Sequence, residues 1–179
     1  MSARKSFYPA LLAAVLVLPA SALAAPASRP TGKPVTGGGS LLQSHQLWAT
    51  INVCNAPDQP DTVGIRGSMP GDRQSHDMMY MRFRLQYLDA TKHWAELANG
   101  AEPGFVAIGS AKSARQDGRS FQLVPVPGKP AFMLRGVVSF QWRRGTTIVQ
   151  SASRPTTAGH QSLAGADPPG FSAASCLIG

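Results

Sequence analysis

The chain carries two cysteines, four histidines and nine acidic residues in 179 positions, and each scarcity excludes something. Two cysteines with no histidine cluster beside them cannot complete a four-ligand zinc site. Glutamate occurs only as Glu96 and Glu102, around a predicted turn. A glycosidase needs two carboxyls opposed across a cleft, and this pair does not offer them. No dense run of lysine and arginine with interleaved aromatics marks a nucleic-acid surface. Past residue 24 no stretch is long and apolar enough to span a bilayer. No segment keeps a convincing helical period; Ala90–Asn99 comes nearest and is short and broken. Neither the EF-hand order of acidic residues nor a G-x-S-x-G nucleophile elbow is present, and no cofactor or metal is expected.

What is present begins with an export signal. Arg4 and Lys5 supply its positive start, Ala10–Ala20 its apolar stretch, and Ser21-Ala22-Leu23-Ala24 the small residues of a cleavage site. Residues 1–24 are therefore expected to be removed, with the cut after Ala24 or Ala25, and the product secreted. Residues 25–40 (APASRPTGKPVTGGGS) hold no apolar side chain larger than Val35. They cannot bury enough surface to offset the entropy of ordering, and they read as a flexible linker. Residues 41–179 remain as a single domain of ordinary size. The formal net charge of the chain is +8; Arg4 and Lys5 leave with the signal, giving +6, and Arg29 and Lys33 belong to the linker, leaving +4 on the domain. The domain's basic residues, among them Arg66, Arg82, Arg84, Lys112, Arg115, Arg119, Arg135, Arg143, Arg144 and Arg154, are scattered along the sequence. Such dispersal predicts a soluble basic surface, with a loose attraction to anionic envelope polymers as the functional alternative.

Export changes how Cys54 and Cys176 read. In an oxidising compartment, two cysteines and no others most simply form one disulfide; two free thiols are the alternative. Closing so long a loop stabilises a fold by up to about 4–5 kcal/mol in the chain-entropy picture. The bridge is expected to clasp one end of the domain, tying the last strand to the end of the first.

Period two dominates the residues between the cysteines. In Met78–Leu88, Met79, Met81, Phe83, Leu85 and Tyr87 share one face, and Arg82, Arg84 and Gln86 the other. Ala131–Arg143 repeats the pattern, setting Phe132, Leu134, Gly136, Val138, Phe140 and Trp142 against Arg135, Ser139, Gln141 and Arg143. Arg144-Gly145 then turns the chain into the β-branched run Thr146–Arg154, completing a hairpin. Shorter strands are predicted at Leu47–Cys54, Thr62–Met69, His93–Leu97, Gly104–Gly109, Ser120–Val126 and Phe171–Ile178. Short strands at this spacing, separated by Gly and Pro turns, predict an all-β fold: an antiparallel immunoglobulin-like β-sandwich of about 7–9 strands.

Three long loops are expected, at Asn55–Asp61, Pro70–Asp77 and Thr156–Gly170, and the functional residues of a sandwich concentrate on such loops. Asn55, Asp58, Asp61, Asp72 and Asp77 offer hard oxygens for calcium, but Asp and Asn are also ordinary turn formers. His160, Ser162 and Asp167 share one loop and His76 adjoins Asp77, so a secreted hydrolase using His160 and Ser162 is the competing reading. The favoured reading is a binding surface. Trp48 and Tyr80 fall on the polar side of their strands and Trp94 follows a turn, and large rigid rings exposed on one face make carbohydrate or peptide platforms. Arg143 and Arg144 at the hairpin add recognition groups.

The segments INVCNAPDQPDTVGIR (Ile51–Arg66), FQWRRG (Phe140–Gly145) and GADPPGFSAASC (Gly165–Cys176) carry a resemblance, together with the paired cysteines and the hairpin. The domain resembles secreted bacterial immunoglobulin-like or fibronectin-III-like β-sandwiches, and it is similar to exported actinobacterial proteins of unassigned function. The resemblance covers most of residues 46–179 and implies a fold but no catalytic residues. The expectation is a secreted, non-enzymatic binding or structural module at the cell envelope or outside it. Its partner would be an envelope polymer, a carbohydrate or a protein, not a nucleic acid.

Overall fold

Two strands form where the alternation is strongest, β3 (Asp77–Leu88) and β7 (Phe132–Arg144). They pair antiparallel from Asp77↔Arg144 to Tyr87↔Leu134 without a shift in register. Met79, Met81, Phe83 and Leu85 on β3 are fully buried, as are Leu134, Val138, Phe140 and Trp142 on β7. A slip of one residue would exchange this apolar face for the arginines, which is why the register is fixed.

The computed structural model describes residues 38–101, 104–160 and 164–179; the expected signal, most of the expected linker, Glu102 and Ser162 lie outside them. Besides β3 and β7 it contains a short helix α1 (Gly38–Leu42) and strands β1 (Trp48–Ala56), β2 (Gln59–Met69), β4 (Trp94–Ala101), β5 (Val106–Ser110), β6 (Arg115–Gln122), β8 (Thr147–Pro155) and β9 (Cys176–Ile178). One sheet has the order β1-β2-β6. The other has the order β4-β3-β7-β8, with β5 also beside β3 and β9 also beside β7. That is the A-B-E and C′-C-F-G arrangement of an immunoglobulin-like sandwich. The two short outer strands on each side share one edge. Strand β5 covers β3 at Met78–Met81 and β4 covers it at Arg84–Leu88; β8 covers β7 from Val137 to Arg144 and β9 covers it from Phe132 to Leu134.

The core lies between the sheets. Ile51, Val63, Ile65 and Met69 of the smaller sheet meet the buried faces of β3 and β7. Close approach needs a glycine at 136, where an added Cβ would sit 2.7 Å from Thr156 Cγ2 and 2.8 Å from Ile65 Cδ1. Trp142 is fully buried, and its indole Nε1–H donates to the Pro70 carbonyl at 3.0 Å, so the largest core side chain leaves no polar group unpaired.

Several boundaries differ from the sequence-based expectation, each for a local reason. Asn55–Asp61 is not a long loop. Ala56 pairs with Gln59 across Pro57-Asp58, and the Asp61 amide donates to Asn55 Oδ1 at 2.8 Å, with φ of 49° at Asn55 and 56° at Asp61. Strand β6 runs Arg115–Gln122 rather than Ser120–Val126, because it follows β2 from Met69↔Arg115 to Thr62↔Gln122. The last strand is only Cys176–Ile178; before it, the chain hugs the edge of β1 through paired Ile51–Ala173 amides and an Asp167 amide bond to the Asn52 carbonyl. Helix α1 starts at Gly38, within the expected linker, and Leu41 and Leu42 pack against the core.

Cys54 and Cys176 form the expected disulfide, across a separation of 122 residues. It joins β1 of one sheet to β9 of the other. Cys176 faces inward with Ile178, while Leu177 between them is exposed. The bridge is thus an inter-sheet clasp at one end of the core. Replacing both cysteines by alanine is expected to cost about 2–4 kcal/mol, measured by urea unfolding of oxidised wild type and variant. An unchanged midpoint would show that the β9 ladder alone holds the C-terminus.

Candidate functional site

The register that buries one face of β3 and β7 turns the other face outward. That outer face shows Tyr80, Arg82, Arg84 and Gln86 on β3, and Arg143, Gln141, Ser139 and Arg135 on β7. Trp94 and Glu96 join it from β4, and Ser153 from β8.

These side chains hold one another. At one end the Arg143 guanidinium lies over the Tyr80 ring, 4.1 Å from its centroid, with the Phe105 ring at 5.2 Å. Its Nε donates to Gln141 Oε1 at 2.8 Å. At the other end the Arg135 guanidinium covers the Trp94 ring at 4.5 Å, and its Nε donates to Gln86 Oε1 at 2.8 Å. Between them Arg84 donates to Glu96 Oε1 at 3.0 Å and to Ser139 Oγ at 3.4 Å. Gln86 donates to the same Glu96 oxygen at 2.8 Å. The Arg84 Nε–H is buried without a hydrogen-bond partner. Burial draws the Arg135 pKa down, and the Glu96 charge opposes that shift. An arginine stays charged under any such shift, so each guanidinium is a fixed cation pinned by cation–π and hydrogen bonds.

The residues singled out in the sequence do not form one platform. Tyr80 and Arg143 meet. Trp94 lies opposite Leu88, eight residues along β3 from Tyr80, which is about 27 Å on the same face. Trp48 is on the other sheet, its ring stacked on His160 with centroids 4.6 Å apart. Arg144 turns away from Arg143 and binds Asp77 through both carboxylate oxygens, at 2.8 and 3.0 Å. Each ring on the outer face has one side covered by an arginine, so the rings act as seats for guanidinium groups. Arg84, Arg135 and Phe105 were missed by the sequence reading. The signal for the first two was available: both fall on the polar parity of the two most regular strands.

A cleft of about 570 Å³ lies at the opposite side of the hairpin, floored by Trp142 and Pro70 and edged by Leu41, Asp72, Asp77 and Arg144. Asp77 is 1% exposed. The hydrogen bonds from Arg144 hold its carboxyl below the ordinary 3.8, against its own burial. Asp72 is pushed the other way, first by burial and then by its hydrogen bond to Asp77, against an amide bond from Gln74. Asp77 pairs with the exposed Arg144 at the end of the β3–β7 ladder, which accounts for the burial of its carboxyl without a ligand.

The residues of the hydrolase reading are otherwise engaged. His160 Nε2 lies 2.8 Å from Thr157 Oγ1, the His160 amide donates to Ser172 Oγ at 2.9 Å, and burial lowers the imidazole pKa. Asp167 accepts from Gln59 Nε2 at 3.0 Å, and its pKa is raised chiefly by a hydrogen bond with Asp58. Ser162 lies outside the described residues. Among the described residues, no group of three or more His, Cys, Asp or Glu side chains is placed to hold a metal ion, and no helix is long and apolar enough to cross a membrane. No protein-family model matches the chain, and no curated protein is significantly similar to it.

The carboxyl pair sets a pH dependence of opposite signs. Asp77, with its lowered pKa, contributes stability above pH 3.8 that is lost as pH falls through its folded value. Asp72, with its raised pKa, contributes stability below pH 3.8 that is lost as pH rises through its folded value. Asp72→Asn keeps a donor for Asp77 and removes the repulsion, so its melting temperature at pH 7 should rise above that of wild type. Asp77→Asn should lower it. Calorimetry at pH 3 and pH 7 checks both, and a lower melting temperature for Asp72→Asn at pH 7 would contradict the repulsion between the two carboxyls.

Proposed function

We propose that this chain is an exported, non-enzymatic binding domain that works at the cell envelope or outside it, and that its ligand lies on the outer face of the β4-β3-β7-β8 sheet. The observation that carries the reading is the guanidinium array on that face. Arg135 and Arg143 are seated on aromatic rings and Arg84 is braced by Glu96 and Ser139. Ordering long arginine side chains costs side-chain entropy. Here that ordering is complete before any ligand arrives, which is the condition for tight recognition by flexible side chains. The disulfide supports export, since such bridges persist in oxidising compartments. The sequence of residues 1–24 supports it independently.

The hydrolase alternative has less behind it: His160 is stacked and half-buried, and the Asp167 carboxyl is hydrogen-bonded to Gln59. The test is capture from envelope fractions by the immobilised mature domain. Arg135→Gln/Arg143→Gln is expected to retain less than about a tenth of the wild-type capture, as loss of two charge-assisted contacts predicts. Equal capture by both proteins would remove the sheet face from the account.

A further inference from the structure

We propose that the outer sheet face is a track for a linear acidic polysaccharide, laid along the strand direction; this inference rests on the reading of that face as the binding surface. Projected onto β7, Arg135 comes first, Arg84 stands opposite Val137, Arg82 opposite Ser139, Tyr80 opposite Gln141, and Arg143 comes last. Two residues of an antiparallel strand advance about 6.8 Å, so the backbone positions of the four arginines span about 27 Å along two adjacent strands, at steps of one or two such units. Among the described residues of β3, β4, β7 and β8, Glu96 is the one acidic side chain on this face, and it is bound to Arg84 and Gln86. Among those residues, four arginines on this face are set against one carboxylate.

A compact anion would need its cations to converge on a point. These are strung out instead, which matches a polymer carrying a negative group on successive units. The groups between the arginines are Gln86, Ser139, Gln141 and Ser153, small amides and hydroxyls suited to sugar hydroxyls. A protein partner would need a buried pocket for an aromatic or aliphatic anchor. The rings on this face are already covered by arginines and offer no such pocket. Guanidinium groups with unused N–H edges pair in bidentate fashion with carboxylate or phosphate. The hydrogen bond of Arg135 to Gln86 uses its Nε, which leaves the N–H groups of its terminal nitrogens for a carboxylate.

The test is calorimetric titration of the mature, oxidised protein with polygalacturonate, neutral dextran and poly-aspartate of matched length, at several salt concentrations. Polygalacturonate should bind, dextran should not, and poly-aspartate should bind at least about tenfold more weakly, because it lacks the hydroxyls. Arg135→Gln/Arg143→Gln should weaken polygalacturonate at least about tenfold and flatten the log–log salt slope by roughly two, one per lost contact. Arg135→Lys/Arg143→Lys, which keeps the charge and loses the fork, should fall between. Arg66→Gln/Lys112→Gln, with the same charge loss placed elsewhere, should bind as wild type. Equal binding of poly-aspartate, or equal loss in the Arg66/Lys112 variant, overturns the polysaccharide track. If no polyanion binds while the glutamine variant still loses envelope capture, the ligand class is wrong and the surface stands. If envelope capture is also unchanged, both fail.

Discussion

The uninterrupted register between β3 and β7 is the constraint on which the rest of the molecule depends. It determines two faces at once. Inward it stacks Met79, Met81, Phe83 and Leu85 beside Leu134, Val138, Phe140 and Trp142 to make half of the core. Outward it lines up Arg82, Arg84, Arg135 and Arg143 and places Gln86, Ser139 and Gln141 among them. Core and surface are two readings of one alternation, so neither can shift without the other. The strand ends add to this: Asp77 and Arg144, the last pair of the ladder, are joined by two hydrogen bonds in a place where a lone carboxylate would be costly.

The C-terminal segment is the second support. Strand β1 would otherwise present an open edge, a template for unwanted pairing. Residues 156–160 and 164–176 cover it with bonds from Thr157, Asp167 and Ala173 to the backbone of Ala49, Asn52 and Ile51. The same cover explains why Thr50 and Asn52, polar residues on the nominally wet side of β1, are buried: Thr50 Oγ1 meets Ser172 Oγ at 2.7 Å and Asn52 Nδ2 donates to the Gly165 carbonyl at 2.6 Å. The disulfide fastens that segment after it has crossed. A loop that invites assignment as a catalytic site is, in its described part, an edge cover.

Much of the fold was legible because its information is local. Alternation located β3, β7 and β8 almost to the residue, and two lone cysteines behind an N-terminus that reads as an export signal predicted their own bridge. Boundaries failed where tertiary pairing decides: β6 is polar along most of its length and exists because β2 needs a partner, and residues 164–175 have no strand pattern because their bonds go to one edge of β1. The site was half legible. Tyr80, Trp94 and Arg143, read in the sequence as isolated rings and a hairpin tip, lie on one face of the sheet. What joined them was Arg135 and Arg84, which look dispersed in sequence and become neighbours only when β3 and β7 are set antiparallel. Trp48 has the same parity signal and a different fate, stacked under a loop on His160.

The central claim is that a register chosen by the core also builds a preformed line of guanidinium groups. The most direct measurement is a side-chain NMR titration, following the arginine Nε–H resonances as oligogalacturonate is added. The account predicts slow-exchanging, resolved Nε–H signals for Arg135 and Arg143 before any ligand, and shifts concentrated at Arg84, Arg135 and Arg143 on addition. Shifts confined to Arg73 and Arg144 at the cleft, or to Arg66 and Arg119 on the other sheet, would contradict it.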